Sequence, residues 1–378
     1  MSHSSPSGAG PRWLAAVGTE TPLFRHVPLA ALRDARTGEP VAFFTRSRKI
    51  PSRLRGFTEA DLFEMMLRAL FWAAVRVLPP RAWPGVARAT SRVRRFRHVR
   101  RKQPAVASAA MAAGLAADPG EGASIYDAYR QRLHERRLMV LRERARPDPV
   151  RFDVDGLDSL KQVMAEGRGA ILWTSPFVFQ TLIGKRGLHE AGLRVAQVSA
   201  QQHGFSDTRF GIRYLNPSLL REENRFLADR LILEEESAAL ALRRAVRALS
   251  SGNPVYFNNN THAGRTFVQV PFGPTAWFLM PQTPLLLARR HGFALFTVET
   301  VETAPFSAYA IRLVECAVPR GDDLTDNEAV ARGALAVRDA ILAAARRAPD
   351  QFMGLMSICQ TPAIRIGSEI APDPAQRG

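Results

Sequence analysis

The sequence predicts an α/β protein whose mostly parallel sheet is flanked by helices, with an N-terminal amphipathic membrane-associated helix ahead of it. Three observations lead there. From Ala170 onward, short apolar runs alternate with stretches of helical period, the pattern of a sheet covered on both faces. A chain of 378 residues, 46% hydrophobic and 23% charged, can bury a large core, and 26 glycines with 26 prolines are too few for a collagen-like or low-complexity chain. Between Thr58 and Pro80 lies a strongly apolar stretch interrupted by Glu64, Arg68 and Arg76. It lacks the roughly 20 uninterrupted apolar residues of a spanning helix, and is expected to lie along a membrane surface.

Residues 1–57 are expected to form an N-terminal tail and irregular segment. Residues 1–20 show no charged region followed by a long apolar core, so no secretory signal is expected and the protein should stay on the cytoplasmic side. Residues 58–150 divide into an interfacial helix, a polybasic linker and a helical region. Thr58-Glu-Ala-Asp61 has the spacing of a capping box, the apolar run includes Leu62, Met66, Leu70, Phe71 and Trp72, and Pro79-Pro80 stops it. From Met65 to Ala117 there is no acidic residue, whereas Arg94, Arg95, Arg100 and Arg101 belong to a dense basic run. A further helix is expected over 122–146.

Residues 151–360 form the expected α/β domain. A short helix is predicted over 154–167, strands over 170–173, 194–199 and 254–257, and helices over 177–190, 234–249 and 284–291. Strands over 293–298 and 308–315 follow, and Thr325-Asp-Asn-Glu328 is a second capping box that opens a helix to about residue 347. Residues 361–378 have the composition of a disordered tail.

Composition narrows the function. Fifty-two Lys plus Arg against thirty-five Asp plus Glu gives a net charge of +17, which attracts a polyanion. An apolar helix beside a basic run favours anionic membrane lipid as the partner, and without a recognisable reader fold no nucleic acid is expected. Phe71 and Trp72 are the expected membrane-contacting aromatics, and Arg94, Arg95, Arg100 and Arg101 the expected headgroup contacts. Cys316 and Cys359 are far apart with no C-x-x-C, so neither a disulfide framework nor a zinc site is expected. There is no G-x-x-x-x-G-K-[ST], no dinucleotide fingerprint and no G-x-S-x-G, and His134-Glu135 and His189-Glu190 lack the second histidine of a zinc-protease helix. No cofactor and no metal are expected.

In open α/β sheets, ligands bind beyond the carboxyl ends of the strands. Here those ends carry Thr174 and Ser175 after the first strand of the alternating region, Gln201, Gln202, His203 and Asp207 after the second, and Asn258, Asn259, Asn260 and His262 after the third. These are expected to meet in one crevice. His203 with Asp207 at i, i+4, or His262, is the candidate general base, and the Thr, Gln and Asn side chains the candidate substrate contacts. The uncharged stretch from Thr266 to Ala288 is broken by Pro271, Pro274, Pro281 and Pro284, and is read as a loop. Its Trp277 and Phe278 either touch an acyl chain or fill the core.

The order of pieces carries a family resemblance. A helix ending at Leu78-Pro-Pro80 and a basic linker precede Gly167-Arg-Gly-Ala-Ile-Leu172, Gly252-Asn-Pro-Val255, Val270-Pro-Phe-Gly273 and Pro349-Asp-Gln-Phe352. Over about residues 58–360 this resembles the bacterial lipid A secondary (lauroyl/myristoyl) acyltransferases, of the lysophospholipid acyltransferase-like superfamily. The resemblance implies acyl transfer at the cytoplasmic face of the inner membrane, with acyl carrier protein or an acyl-CoA as the donor. It also implies a catalytic pattern close to T-A-H-F-G-N-W-E after the strand ending near Trp173. Here the chain reads Thr174-Ser-Pro-Phe-Val-Phe-Gln-Thr181, so Pro176 and Thr181 replace the family's base and its acidic partner. None of the eight histidines has an acid five residues on. Two readings remain: transfer of an acyl chain with a relocated base, or a catalytically inactive protein that binds lipid or acyl donor, or supports a partner enzyme at the membrane.

Overall fold

The computed structural model describes residues 24–28, 41–49, 55–93, 99–145, 149–200, 203–206, 208–233, 238–259, 266–321 and 323–359. Gln201, Gln202, Asp207, Asn260, His262, Arg94 and Arg95, the side chains of Arg100 and Arg101, and the 361–378 segment lie outside the described residues.

The sheet expected from the alternation is present. Strands β3 (Arg151–Asp155), β4 (Ala170–Thr174), β5 (Val195–Ala200), β6 (Leu227–Leu233), β7 (Val255–Asn258), β10 (Ala294–Ala304) and β11 (Ala308–Glu315) make a seven-stranded sheet in the order β3-β11-β10-β4-β7-β5-β6. Every neighbouring pair is parallel except β10 with β11. Four of these strands carry continuous apolar runs because both sheet faces are covered. Leu172, Tyr256, Phe296 and Val298 face a layer that includes α5 (Leu157–Ala165) and α6 (Ile183–Glu190). Ile171, Trp173, Val255 and Phe257 face the main core with α8 (Ala238–Ser250), α9 (Thr283–His291) and α10 (Asp326–Arg347).

Two of these strands have no counterpart in the sequence reading. In β3, exposed Arg151, Asp153 and Asp155 alternate with half-buried Phe152 and Val154, an edge strand of period two that the following helix signal obscured. β6 is the other edge, again mixed in polarity. The helix predicted over 177–190 begins only at Ile183, because the segment before it is held by tertiary bonds: Val178 N–H donates to Gln351 O at 2.9 Å, and Met353 N–H donates to Pro176 O at 2.7 Å.

The 266–288 stretch is not a loop. It forms the hairpin β8 (Thr266–Pro271) and β9 (Trp277–Pro281) of a second, five-stranded antiparallel sheet with β1 (Phe24–Pro28), β2 (Ala42–Lys49) and β12 (Ile358–Cys359). Pro271 and Pro281 fall at strand ends, where a missing N–H is tolerated. The lack of charge reflects burial: Phe272, Phe278, Phe352 and Phe177 form one aromatic cluster with neighbouring centroids 4.9 to 6.4 Å apart. Phe278, 1% exposed, is therefore core filler and not a substrate contact, whereas Trp277 is half-buried at the strand start.

N-terminal to the sheet, α1 (Glu59–Val77), α2 (Trp83–Val93), α3 (Val99–Ala112) and α4 (Pro119–Ala145) pack together. The Thr58 capping box is present, with Thr58 N–H donating to Asp61 at 2.8 Å. α1 is apolar on both its inward and outward faces, with two acids among the inward residues. Asp61, Glu64, Leu67, Phe71, Ala74 and Val75 face inward, and Leu62, Met65, Met66, Leu70, Trp72 and Val77 face outward, 42% to 79% exposed. The inward acids are paired, Glu64 with Arg137 at 2.8 Å and Arg68 at 3.5 Å. Phe71, expected at the membrane, is fully buried with its ring 5.8 Å from that of His134, because it projects toward α4 from the face opposite Met66. No helix among the described residues is long and apolar enough to cross a membrane.

Candidate functional site

The three strand ends do lie side by side, since β4, β7 and β5 are consecutive in the sheet. Thr174 and Asn258 are ladder partners, and the Thr174 hydroxyl donates to Asn258 Oδ1 at 2.9 Å. Ser175 is buried, its N–H donating to Val298 O at 2.8 Å. The amide atoms of Asn259 are buried with no hydrogen bond among the described residues.

Pro176 and Thr181, the positions that the resemblance assigns to a base and its acid, are both half-buried, and neither carries a titratable group. Phe177, directly after Pro176, makes an isolated bridge to Phe352, and Gln351 and Met353 clamp the segment from the other side.

Farther along the sheet edge lies His203. Its Nε2 lies 3.1 Å from both carboxylate oxygens of Glu223, on α7 (Asn216–Asn224). A carboxylate only accepts, so Nε2 carries the hydrogen of this contact. Among the described residues Glu223, and not a neighbour in sequence, is the carboxylate that holds the ring.

Glu223 is fully buried and also accepts from Lys185 Nζ at 2.5 Å and Arg230 Nη2 at 2.8 Å. Burial pushes its carboxyl up, but His203, Lys185 and Arg230 together hold it well below the usual carboxylate range. Burial in turn pushes the Lys185 amine down to about 8, with Glu223 pulling it back and Arg230 adding to the depression. Arg230 reaches along the sheet edge to Ser199 Oγ at 3.2 Å, joining the cluster to the end of β5.

The loop that presents His203 is shaped by Asn216 and Asp61. Asn216 Oδ1 accepts from the Phe205 N–H at 2.8 Å and the Ser206 N–H at 3.1 Å, while its amide donates to Ser206 O at 2.7 Å. Gly204 has φ +155, and a Cβ there would sit 2.1 Å from Asn216 Cγ, so only glycine fits beside the histidine. Asp61 of α1 accepts from Ser206 Oγ at 2.6 Å and Thr208 Oγ1 at 2.9 Å. The apolar helix and the candidate base are thus hydrogen-bonded into one unit.

Lys185, Glu223 and Arg230 had no signal in the sequence. They lie on three different elements, 18 to 27 residues from His203, and only folding brings them to it. No family model matches the chain, and no curated protein matches it. Among the described residues no group of three His, Cys, Asp or Glu could hold a metal ion.

Proposed function

We propose that this protein works at an anionic membrane surface on the cytoplasmic face of the inner membrane. There it transfers an acyl chain from an acyl carrier protein or acyl-CoA thioester to a lipid acceptor, with His203 as the relocated base and Glu223 as its orienting carboxylate. The observation that carries this reading is the tie between the outward apolar face of α1 and the His203 loop, made through Asp61 with Ser206 and Thr208. A base joined to a lipid-seeking helix meets an acceptor that is itself anchored in the bilayer.

In this reading His203 Nδ1 takes the proton of the acceptor hydroxyl as that oxygen attacks the thioester carbonyl, the thiolate leaves, and Glu223 stabilises the imidazolium. Lys185 and Arg230 keep Glu223 ionised, so the carboxylate orients the ring without competing for the proton. The order of motifs shared with the lipid A secondary acyltransferases supports the substrate class.

The test is lipid and lipopolysaccharide mass spectrometry of cells lacking the gene, re-expressing it, or re-expressing His203→Ala. An acylated species present with wild type and absent with the variant is expected. One observation favours binding without transfer: Lys185 and Arg230 already neutralise Glu223, which weakens its hold on an imidazolium. If wild-type and deletion extracts match, transfer is excluded and the lipid- or donor-binding reading replaces it.

A further inference from the structure

β6 serves two sites by its alternation. Arg230 points to Glu223 on one face, and Asp229 and Leu231 line a groove of about 510 Å³ on the other, between β5, β6 and α8. The groove opens at the amino end of β5, opposite the end that leads to His203 and the α1-bound loop. Ala196, Ala228, Ala248 and Leu231 make its floor, the small side chains leaving the space.

Arg194, Arg244 and Arg247 stand on its rim with Ser251 and Asn253. Arg244 is paired with Asp229 at 2.7 Å. Among the described residues no acid pairs with Arg194 or Arg247, so the rim carries two guanidiniums in excess. The Ser251 hydroxyl donates to Arg247 O at 3.0 Å, and the guanidiniums with the Asn253 amide over an apolar floor suit an anion with planar or tetrahedral oxygens on an apolar body. The volume falls in the range of small-molecule sites, about 300–1,000 Å³.

We propose that this groove binds a soluble phosphorylated molecule of about nucleotide size, with Arg194 and Arg247 on the phosphate. The site is separate from the His203 edge, and the proposal stands whether or not acyl transfer occurs. Its position at the far end of β5 from the α1-bound loop argues for a soluble ligand over a lipid headgroup.

Isothermal titration calorimetry of the full chain with inorganic pyrophosphate and with adenosine diphosphate tests it. Saturable binding of wild type is expected, weakened at least about tenfold in Arg194→Ala/Arg247→Ala and unchanged in Arg290→Ala, an exposed arginine outside the groove. Both substituted positions are on the surface, and unchanged thermal melting of the double variant separates lost binding from lost fold. No saturable heat with wild type, or equal affinity in the double variant, overturns the proposal. Sedimentation with phosphatidic-acid vesicles separates the sources: binding unaffected by the double substitution fits a soluble ligand, whereas its loss would mean that the groove reads a lipid headgroup.

Discussion

At the scale of single residues, Glu223 decides the most. It accepts from three basic groups while itself excluded from solvent. Breaking a buried ion cluster by removing one partner costs about 3–5 kcal/mol, since it strands the others. Glu223→Gln is therefore expected to lose stability on that scale in urea unfolding at neutral pH. Because the folded-state pKa lies below the usual 4.5, the stabilisation is complete above about that pH and is lost as pH falls through the folded value. The gap between wild type and variant should be widest at neutral pH and close toward acid. A variant as stable as wild type at pH 7 would show that the cluster only orients groups.

At the scale of elements, α1 is the informative one. An ordinary surface helix puts charges outward, whereas α1 turns Asp61 and Glu64 inward to bonded partners and leaves six large apolar side chains outside. Half-exposed side chains of this kind gain about 1 kcal/mol each on entering lipid, at roughly 25 cal/mol per Å². Trp72, with the Arg76 guanidinium 3.9 Å from its ring, has the build of an interfacial anchor. Met66→Glu/Val77→Glu is expected to reduce co-sedimentation with anionic vesicles at least about tenfold while leaving the melting temperature within a few degrees. Phe71→Ala should instead destabilise the fold by about 3–5 kcal/mol, as any large core truncation does. If the double glutamate variant sediments like wild type, α1 is not the membrane contact.

At the scale of the whole molecule, the charge of +17 would add a long-range attraction to the membrane contact proposed for α1. Vesicle binding should weaken as salt rises from about 0.05 to 0.5 M, since exposed charges are screened over a Debye length of about 10 Å at 0.1 M. Reversal of charge at Arg94, Arg95, Arg100 and Arg101 should shift binding the same way. Salt-independent binding would assign attachment to the apolar face alone. The two sheets meet through Phe177, Phe272, Phe278 and Phe352, so the clamp on the Pro176 segment and the core of the second sheet are one packing unit.

The sequence by itself determined the layered α/β class, the two capping boxes and the convergence of the three strand ends. These rest on local period and local hydrogen bonds, which neighbours in the chain decide. Edge strand β3 and the β8–β9 hairpin were misjudged because a mixed-polarity strand and a proline-broken apolar run have no distinctive local period. His203 is marked in the sequence by its place after a strand end, whereas Asp207, the carboxylate expected one helical turn on, lies outside the described residues and the carboxylate seen on the ring is Glu223 of α7. Tertiary structure alone decided that partner, the burial of Phe71 and the outward turn of Met66 and Val77. A side chain's environment depends on which elements pack against it, and no spacing along the chain encodes that.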